Sequence, residues 1–198
     1  MQSVMRFVLL GLLCAFGLSY ANHSVPGEFV AEFKIDAKDA RLLHQDGMLY
    51  FDGQPFSGML IERYDNHRRK SETGYRKGKM DGLQQTWFSN GAKKTRRFYK
   101  GGRKHGLHQG WWLNCGQQFE YHFVNGKYDG EQLQWYANGQ LAQQFFYEDG
   151  IEVGTQQAWR ENGKLYINLV IIDGRKFGVF KAKPCFTVKD GEGQYVKK

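Results

Sequence analysis

Apolar and polar positions alternate along most of this chain, and the alternation recurs with a fixed period. From residue 58 onward five 24-residue units follow without a gap, opening at Gly58, Gly82, Gly106, Gly130 and Gly154, with Gly178 in register after them. Trp87, Trp111, Trp135 and Trp159 share a column in which the first unit has Arg63, and Tyr64, Phe88, Trp112 and Tyr136 stand beside them. Tyr75, Tyr99, Phe123, Tyr147 and Ile171 share another column. Self-similarity of this kind marks a repeat architecture with one supersecondary unit per period.

The columns translate into backbone. Each unit has an aromatic-rich run, an asparagine (Asn66, Asn90, Asn114, Asn138, Asn162), a second run, and a second glycine (Gly78, Gly102, Gly126, Gly150, Gly174). Asn-Gly between strand-like runs predicts a two-residue type I′ hairpin, because that turn needs φ > 0 at both central residues. The second glycine and the glycine opening the next unit serve the return turn in the same way. The expected fold is all-β: an elongated antiparallel β-meander of 24-residue hairpin repeats in one open sheet. No proline lies between 58 and 177, as a continuous ladder requires.

On this register the tryptophan column faces Lys70, Lys94, Gln118, Ala142 and Tyr166, and the adjacent aromatics point to the opposite face. Equivalent side chains of neighbouring units stand two strands, or ~9.5 Å, apart. A ligand-stacking platform is one reading of such ladders. Repetition favours the other reading, a structural core. The third unit, Gly110-Trp111-Trp112-Leu113-Asn114-Cys115-Gly116, puts Cys115 at a hairpin tip where three units have glycine and the first has His67. Gly116 is expected to take over the positive φ there by lengthening the loop to three residues.

Flanking segments are less regular. Residues 1–21 read as a signal peptide: Arg6, then an almost unbroken apolar run from Phe7 to Leu18, then Ser19 and Ala21 at the positions a signal peptidase reads. Cleavage after Ala21 predicts export to the periplasm or cell exterior. A lipoprotein signal built on Cys14 ranks far below, because Leu13 precedes it where a small residue is needed. Downstream no apolar run approaches the ~18 residues of a membrane helix. Residues 22–57 read as an N-terminal cap holding a degenerate unit: a strand within 28–35, a turn or short helix at 39–44, and half a unit at 47–58 with Phe51 in the aromatic column. Residues 178–198 read as the C-terminal cap and basic tail, with Pro184 where the ladder ends.

Composition supports the pattern: 16% aromatic residues, 25 glycines and 3 prolines favour β-structure with tight turns. Charge adds an asymmetry. Residues 58–105 hold 14 Lys/Arg against 4 Asp/Glu, and 106–177 hold 5 against 8. Arg68, Arg69, Lys70, Lys93, Lys94, Arg96 and Arg97 cluster near two consecutive tips, a patch that suits an acidic protein or an anionic envelope surface, or simply a solvated, solubilising edge. Nucleic acid fits poorly, given the export signal and the lack of any reader motif.

Chemistry is thin. GxSxG, phosphate loops and HExxH are absent, so an enzyme is not expected, nor a cofactor. His105, His108, Cys115 and His122 lie close in sequence, but the pleat points His108 and His122 to opposite faces and sets Cys115 at the tip, so no metal site is expected. Export would leave two cysteines, Cys115 and Cys185, almost three units apart. At ~9.5 Å per unit they are too distant for a disulfide, and two free thiols are expected.

These units resemble the MORN-repeat variant of bacterial YwqK-type proteins, best in Trp135-Tyr136-Ala137-Asn138-Gly139 followed by Tyr147 and Gly150, with Pro55-Phe56-Ser57-Gly58 resembling the family's opening segment. The likeness spans roughly residues 47–180. It implies a hairpin meander without established enzymatic activity, and some members are labelled antitoxins, a cytoplasmic role at odds with an export signal. Asp173-Gly174-Arg175-Lys176-Phe177-Gly178 followed by Lys183-Pro184-Cys185 resembles the end of exported members associated with thiol and copper handling. The expected function is an exported scaffold or binding module. Its alternatives are a thiol or copper accessory protein acting through Cys185, with Cys115 secondary, and an antitoxin.

Overall fold

The computed structural model describes residues 33–180 and the backbone of two further strands, Phe186–Lys189 and Gln194–Lys197. Residues 1–32, which include the expected signal peptide and Cys14, and Cys185 lie outside the described residues. The fold is all-β. In chain order the strands are β1 (Lys34–Asp36), β2 (Leu42–Gln45), β3 (Met48–Phe51), β4 (Gln54–Pro55), β5 (Gly58–Arg63), β6 (Arg69–Arg76), β7 (Lys79–Trp87), β8 (Lys93–Lys100) and β9 (Arg103–Lys104). They continue as β10 (Gly106–Trp111), β11 (Gln117–Val124), β12 (Lys127–Trp135), β13 (Leu141–Glu148), β14 (Ile151–Trp159), β15 (Leu165–Ile172) and β16 (Arg175–Phe180). The two last strands, β17 (Phe186–Lys189) and β18 (Gln194–Lys197), pair only with each other among the described residues.

From β5 to β16 the strands lie side by side in chain order in one open antiparallel sheet, with β9 beside β8. β1 adds to the edge of β5 in parallel, and β16 is the opposite edge. β2, β3 and β4 form a separate three-stranded sheet. The segment 39–44 is turn and strand, not helix. Phe51 does join the core, but the type I′ turn after it falls at Asp52-Gly53, one residue earlier than the repeat would put it. The regular frame begins at Phe56, whose carbonyl accepts the Gly78 N–H as Met80 accepts from Gly102 in the next unit.

The return turns keep the expected positive-φ glycine, although the glycine opening the next unit lies beyond them in the strand, and the tips depart from the sequence expectation. Type I′ turns sit at the returns: Lys77-Gly78, Gly101-Gly102, Asn125-Gly126, Asp149-Gly150 and Asp173-Gly174 all have φ > 0 at both positions. At the tips the asparagine is not the first residue of a two-residue loop. His67 N–H donates to Tyr64 C=O, Tyr64 N–H to Arg68 C=O, and the residue after the asparagine takes the positive φ, which makes a three-residue loop of turn plus bulge. All five asparagines accept the N–H two residues on, at 2.9–3.1 Å, which fixes that turn without left-handed backbone at the asparagine. Cys115 itself carries the positive φ, at 64°, and Gly116 does not, contrary to expectation.

A second irregularity restores the register. Trp87 pairs with Lys93 and Thr86 with Thr95, so Lys94 is left bulged between them. Lys70, Gln118, Ala142 and Tyr166 are bulged in the same way and do not face the tryptophan column as expected. Beyond the bulge the pairing is the one a two-residue loop would have given.

A wider break lies mid-strand. Tyr75 pairs with Met80 but Thr73 with Gln84, so Asp81-Gly82-Leu83 oppose Gly74 alone. The same step occurs in β12 and β14, with Gly130 and Gly154 at positive φ. A shift of two residues keeps each side chain on its face while bending the strand. The residue opposite the break loses its ladder partners, and a buried polar column replaces them. Gln132 accepts from His122 N–H at 3.0 Å and donates to His122 C=O at 3.1 Å, Gln156 donates to Phe146 C=O at 2.8 Å, and His108 Nε2 donates to Phe98 C=O at 2.7 Å.

An open sheet has no second layer, so full burial is confined to a few positions. Ile35, Leu49, Phe56 and Tyr75 form the N-terminal core beneath the cap. From there an aromatic file runs along the bent face: Tyr99, His108, Phe123, Tyr128 and Tyr147, with successive ring centroids 4.6–5.6 Å apart. This distance permits edge and offset contacts. The file is the structural core that repetition favoured, though its buried column is that of Tyr75 and Phe123 rather than of the half-buried tryptophans. Among the described residues there is no helix long and apolar enough to cross a membrane.

Candidate binding surface

The sequence cluster of seven cations is divided by the structure. Arg68 lies across the next tip, its guanidinium 2.7 Å from Asn90 C=O. Arg69 pairs with Glu72 at 2.9 Å, and Lys70 pairs with Glu62 at 2.7 Å, a hydrogen bond that raises the Lys70 pKa. Lys94 stands 5.4 Å from the Phe88 ring and Arg96 4.6 Å from the Phe98 ring. Lys93 remains at the tip without an ion-pair partner among the described residues. Arg97 belongs elsewhere. It pairs in the ladder with Gln84 and lines the bent face.

Sequence reasoning missed cations at the other edge. Lys77, Lys79, Lys100 and Arg103 crowd the first two return turns and form no ion pair among the described residues. The return turns are stitched together by Gly102 N–H to Met80 C=O and Gly126 N–H to Lys104 C=O, which brings Lys79 and Arg103 onto neighbouring turns. Their signal was columnar: Lys79, Arg103, Lys127 and Arg175 share one repeat position. The first two hairpins therefore carry positive charge at both ends of their strands, at the tips and at the returns.

The bent face holds a concavity of about 500 Å³ over the third hairpin. Its floor is Phe119 stacked on Tyr121, with centroids 4.8 Å apart and planes 18° apart. Gly110 lies beneath, in ordinary strand backbone, and a Cβ there would come within 2.1 Å of the Phe119 ring. Other units have Glu62, Thr86, Gln134 and Ala158 at that position. The missing side chain is thus the seat of a ring, not a turn requirement. Gln134 Nε2 donates to the Tyr121 hydroxyl and fixes it. Arg97, Lys104 and His108 close one end. Burial pushes the His108 pKa down, and the two cations push it the same way against its bond to Phe98 C=O.

The histidines stay apart. His122 Nδ1 bonds to Glu131 C=O, His108 to Phe98 C=O, and Cys115 is exposed at its tip with a free thiol. Among the described residues no three His, Cys, Asp or Glu side chains are grouped to hold a metal ion. Cys185, on which the thiol reading rests, lies outside them. No protein-family model matches this sequence, and no curated protein matches it either.

Proposed function

We propose that this protein is a non-enzymatic, exported binding module whose first two hairpins hold an acidic partner surface. The observation that carries the reading is the double edge of cations, Lys93 at the tips and Lys77, Lys79, Lys100 and Arg103 at the returns, without ion-pair partners among the described residues. A rigid sheet holds these charges at fixed spacing, so an acidic surface gains their attraction without ordering a loop. The likeness to MORN-variant proteins, carried by the repeated Trp, Asn and Gly columns, fits a scaffold of this kind.

The test uses poly-glutamate and anionic phospholipid vesicles as probes of the two kinds of acidic surface. Binding by the mature chain is expected to weaken steeply between low and physiological salt, because surface charges are screened over about 8 Å there. The quadruple variant Lys79→Glu, Lys93→Glu, Lys100→Glu, Arg103→Glu is expected to lose it. Salt-independent binding, or unchanged binding by the variant, rejects the reading.

A further inference from the structure

We propose that the concave face of the third hairpin binds an acidic carbohydrate, with a sugar ring lying on Phe119 and its carboxylate held by Arg97 and Lys104. The site is separate from the charged edges of the first two hairpins and is tested by different residues.

Four observations converge. The first is the seat itself. The repeat frame needs no glycine at position 110 and no aromatic at 119, where other units have Ser71, Thr95, Gln143 and Ile167. Gly110 and Phe119 change together, so that the ring lies flat over the strand and stacks on Tyr121. The second is the rim. Gln118 and Tyr128 line the concavity, and neither the Gln118 amide nor the Tyr128 hydroxyl makes a hydrogen bond among the described residues. The third is charge. Arg97 and Lys104 flank His108 at one end, and neither has an ion-pair partner among the described residues. The fourth is shape. The concavity is shallow and open to solvent over the half-buried Phe119 and Tyr121 rings.

These features select among anionic ligands. A sugar ring presents an apolar C–H face to an aromatic face, whose negative quadrupole attracts it. Its hydroxyls match free amide and phenol groups at the rim, and a carboxylate matches the planar Arg97 fork. An acidic peptide would use the charges but not a flat ring seat. A lipid would need a recess for its acyl chain.

The test titrates the mature protein with an α-1,4-linked galacturonate hexamer, following tryptophan fluorescence and confirming by calorimetry. The uncharged galactose oligomer, a hexaglutamate peptide and anionic vesicles are the comparison ligands. The galacturonate oligomer is expected to bind at least tenfold more tightly than the neutral one and than the peptide. Phe119→Ser, which installs the first unit's residue, and Arg97→Gln are each expected to weaken it at least tenfold. Far-UV circular dichroism checks that both variants fold, and Arg97→Gln, a polar exchange at a half-buried lining position, keeps the test open if Phe119→Ser does not. Binding unaffected by either change, preference for the peptide, binding by vesicles alone, or no binding at millimolar oligosaccharide overturns the proposal.

Discussion

Replacing Gln132 by leucine tests the idea that a buried polar column replaces the ladder where each strand bends. Gln132 is 3% exposed and makes three hydrogen bonds: it accepts from His122 N–H and donates to His122 C=O and to Gly130 C=O at 3.2 Å. Leucine fills the space but leaves the His122 N–H and C=O without partners. An orphaned buried backbone group costs about 1–3 kcal/mol. Two such groups, less about 1 kcal/mol from added apolar burial, give an expected loss of about 1–5 kcal/mol. Gln84→Leu is the control, since Gln84 is half-buried and makes one bond, to Thr73 Oγ1 at 3.2 Å. Its loss should stay below about 1 kcal/mol. Urea unfolding followed by tryptophan fluorescence measures both, and amide exchange at His122 shows whether the loss is local. Gln132→Glu adds a check of sign. A carboxylate cannot donate to two carbonyls, so the introduced carboxyl titrates higher in the folded than in the unfolded chain. That variant should gain stability relative to Gln132→Leu as pH falls toward about 4.3, the value of an unfolded glutamate, with no further gain below it. A loss from Gln132→Leu no larger than that from Gln84→Leu refutes the reasoning.

Two other changes follow from the same geometry. His108 occupies the glutamine column, and burial with nearby cations lowers its pKa from 6.5. The unfolded chain therefore binds the proton first, so stability is complete above about pH 6.5 and declines as pH falls from there toward the lowered folded value. His108→Gln, the residue of its neighbours in the column, should remove that part of the pH dependence in urea titrations at pH 5 and 7.5; an unchanged dependence assigns it elsewhere. Phe88→Tyr should add a hydroxyl bond to the Trp111 carbonyl, as Tyr64 reaches Trp87 C=O at 2.8 Å and Tyr136 reaches Trp159 C=O at 3.0 Å. A gain of about 1 kcal/mol in urea unfolding is expected, and no gain shows that the ring cannot reach.

The period, the open meander and the columns were legible because every unit repeats them, and repetition filters out accidents of single residues. The turn types were not. Asn-Gly is the usual mark of a type I′ turn, but here Asn114 uses its side chain to close the loop, and the next residue alone takes left-handed backbone. Asp149-Gly150 and Lys77-Gly78 carried the type I′ geometry without the asparagine signature. The glutamine column was passed over because glutamine in a strand usually reads as solvent-facing, and nothing in a linear pattern reveals the break that buries it. The basic cluster was half seen: Arg68, Arg69 and Lys70 are engaged locally, Arg97 turns into the concavity, and the cations of the return turns went unread. Phe119 and Gly110 lie thirteen and four residues into the same unit, so their contact exists only once the register is known.

Side-chain ties between tips run from each unit to its successor: Tyr64 and Asn66 to the second, Trp112 and Asn114 to the fourth, Tyr136 and Asn138 to the fifth. The second unit breaks the series: Phe88 has no donor, and the Asn90 side-chain amide nitrogen makes no bond to the third tip among the described residues. Between the second and third hairpins the joint is held instead at the return side and the bent face, by Gly126 N–H to Lys104 C=O and by His108 against Phe98 C=O and the Tyr99 ring. The charge of the chain changes sign at the same seam. Phe119 lies on one side of it and Arg97 and Lys104 on the other, so anything bound to all three works as a staple across a joint that lacks tip-to-tip side-chain ties.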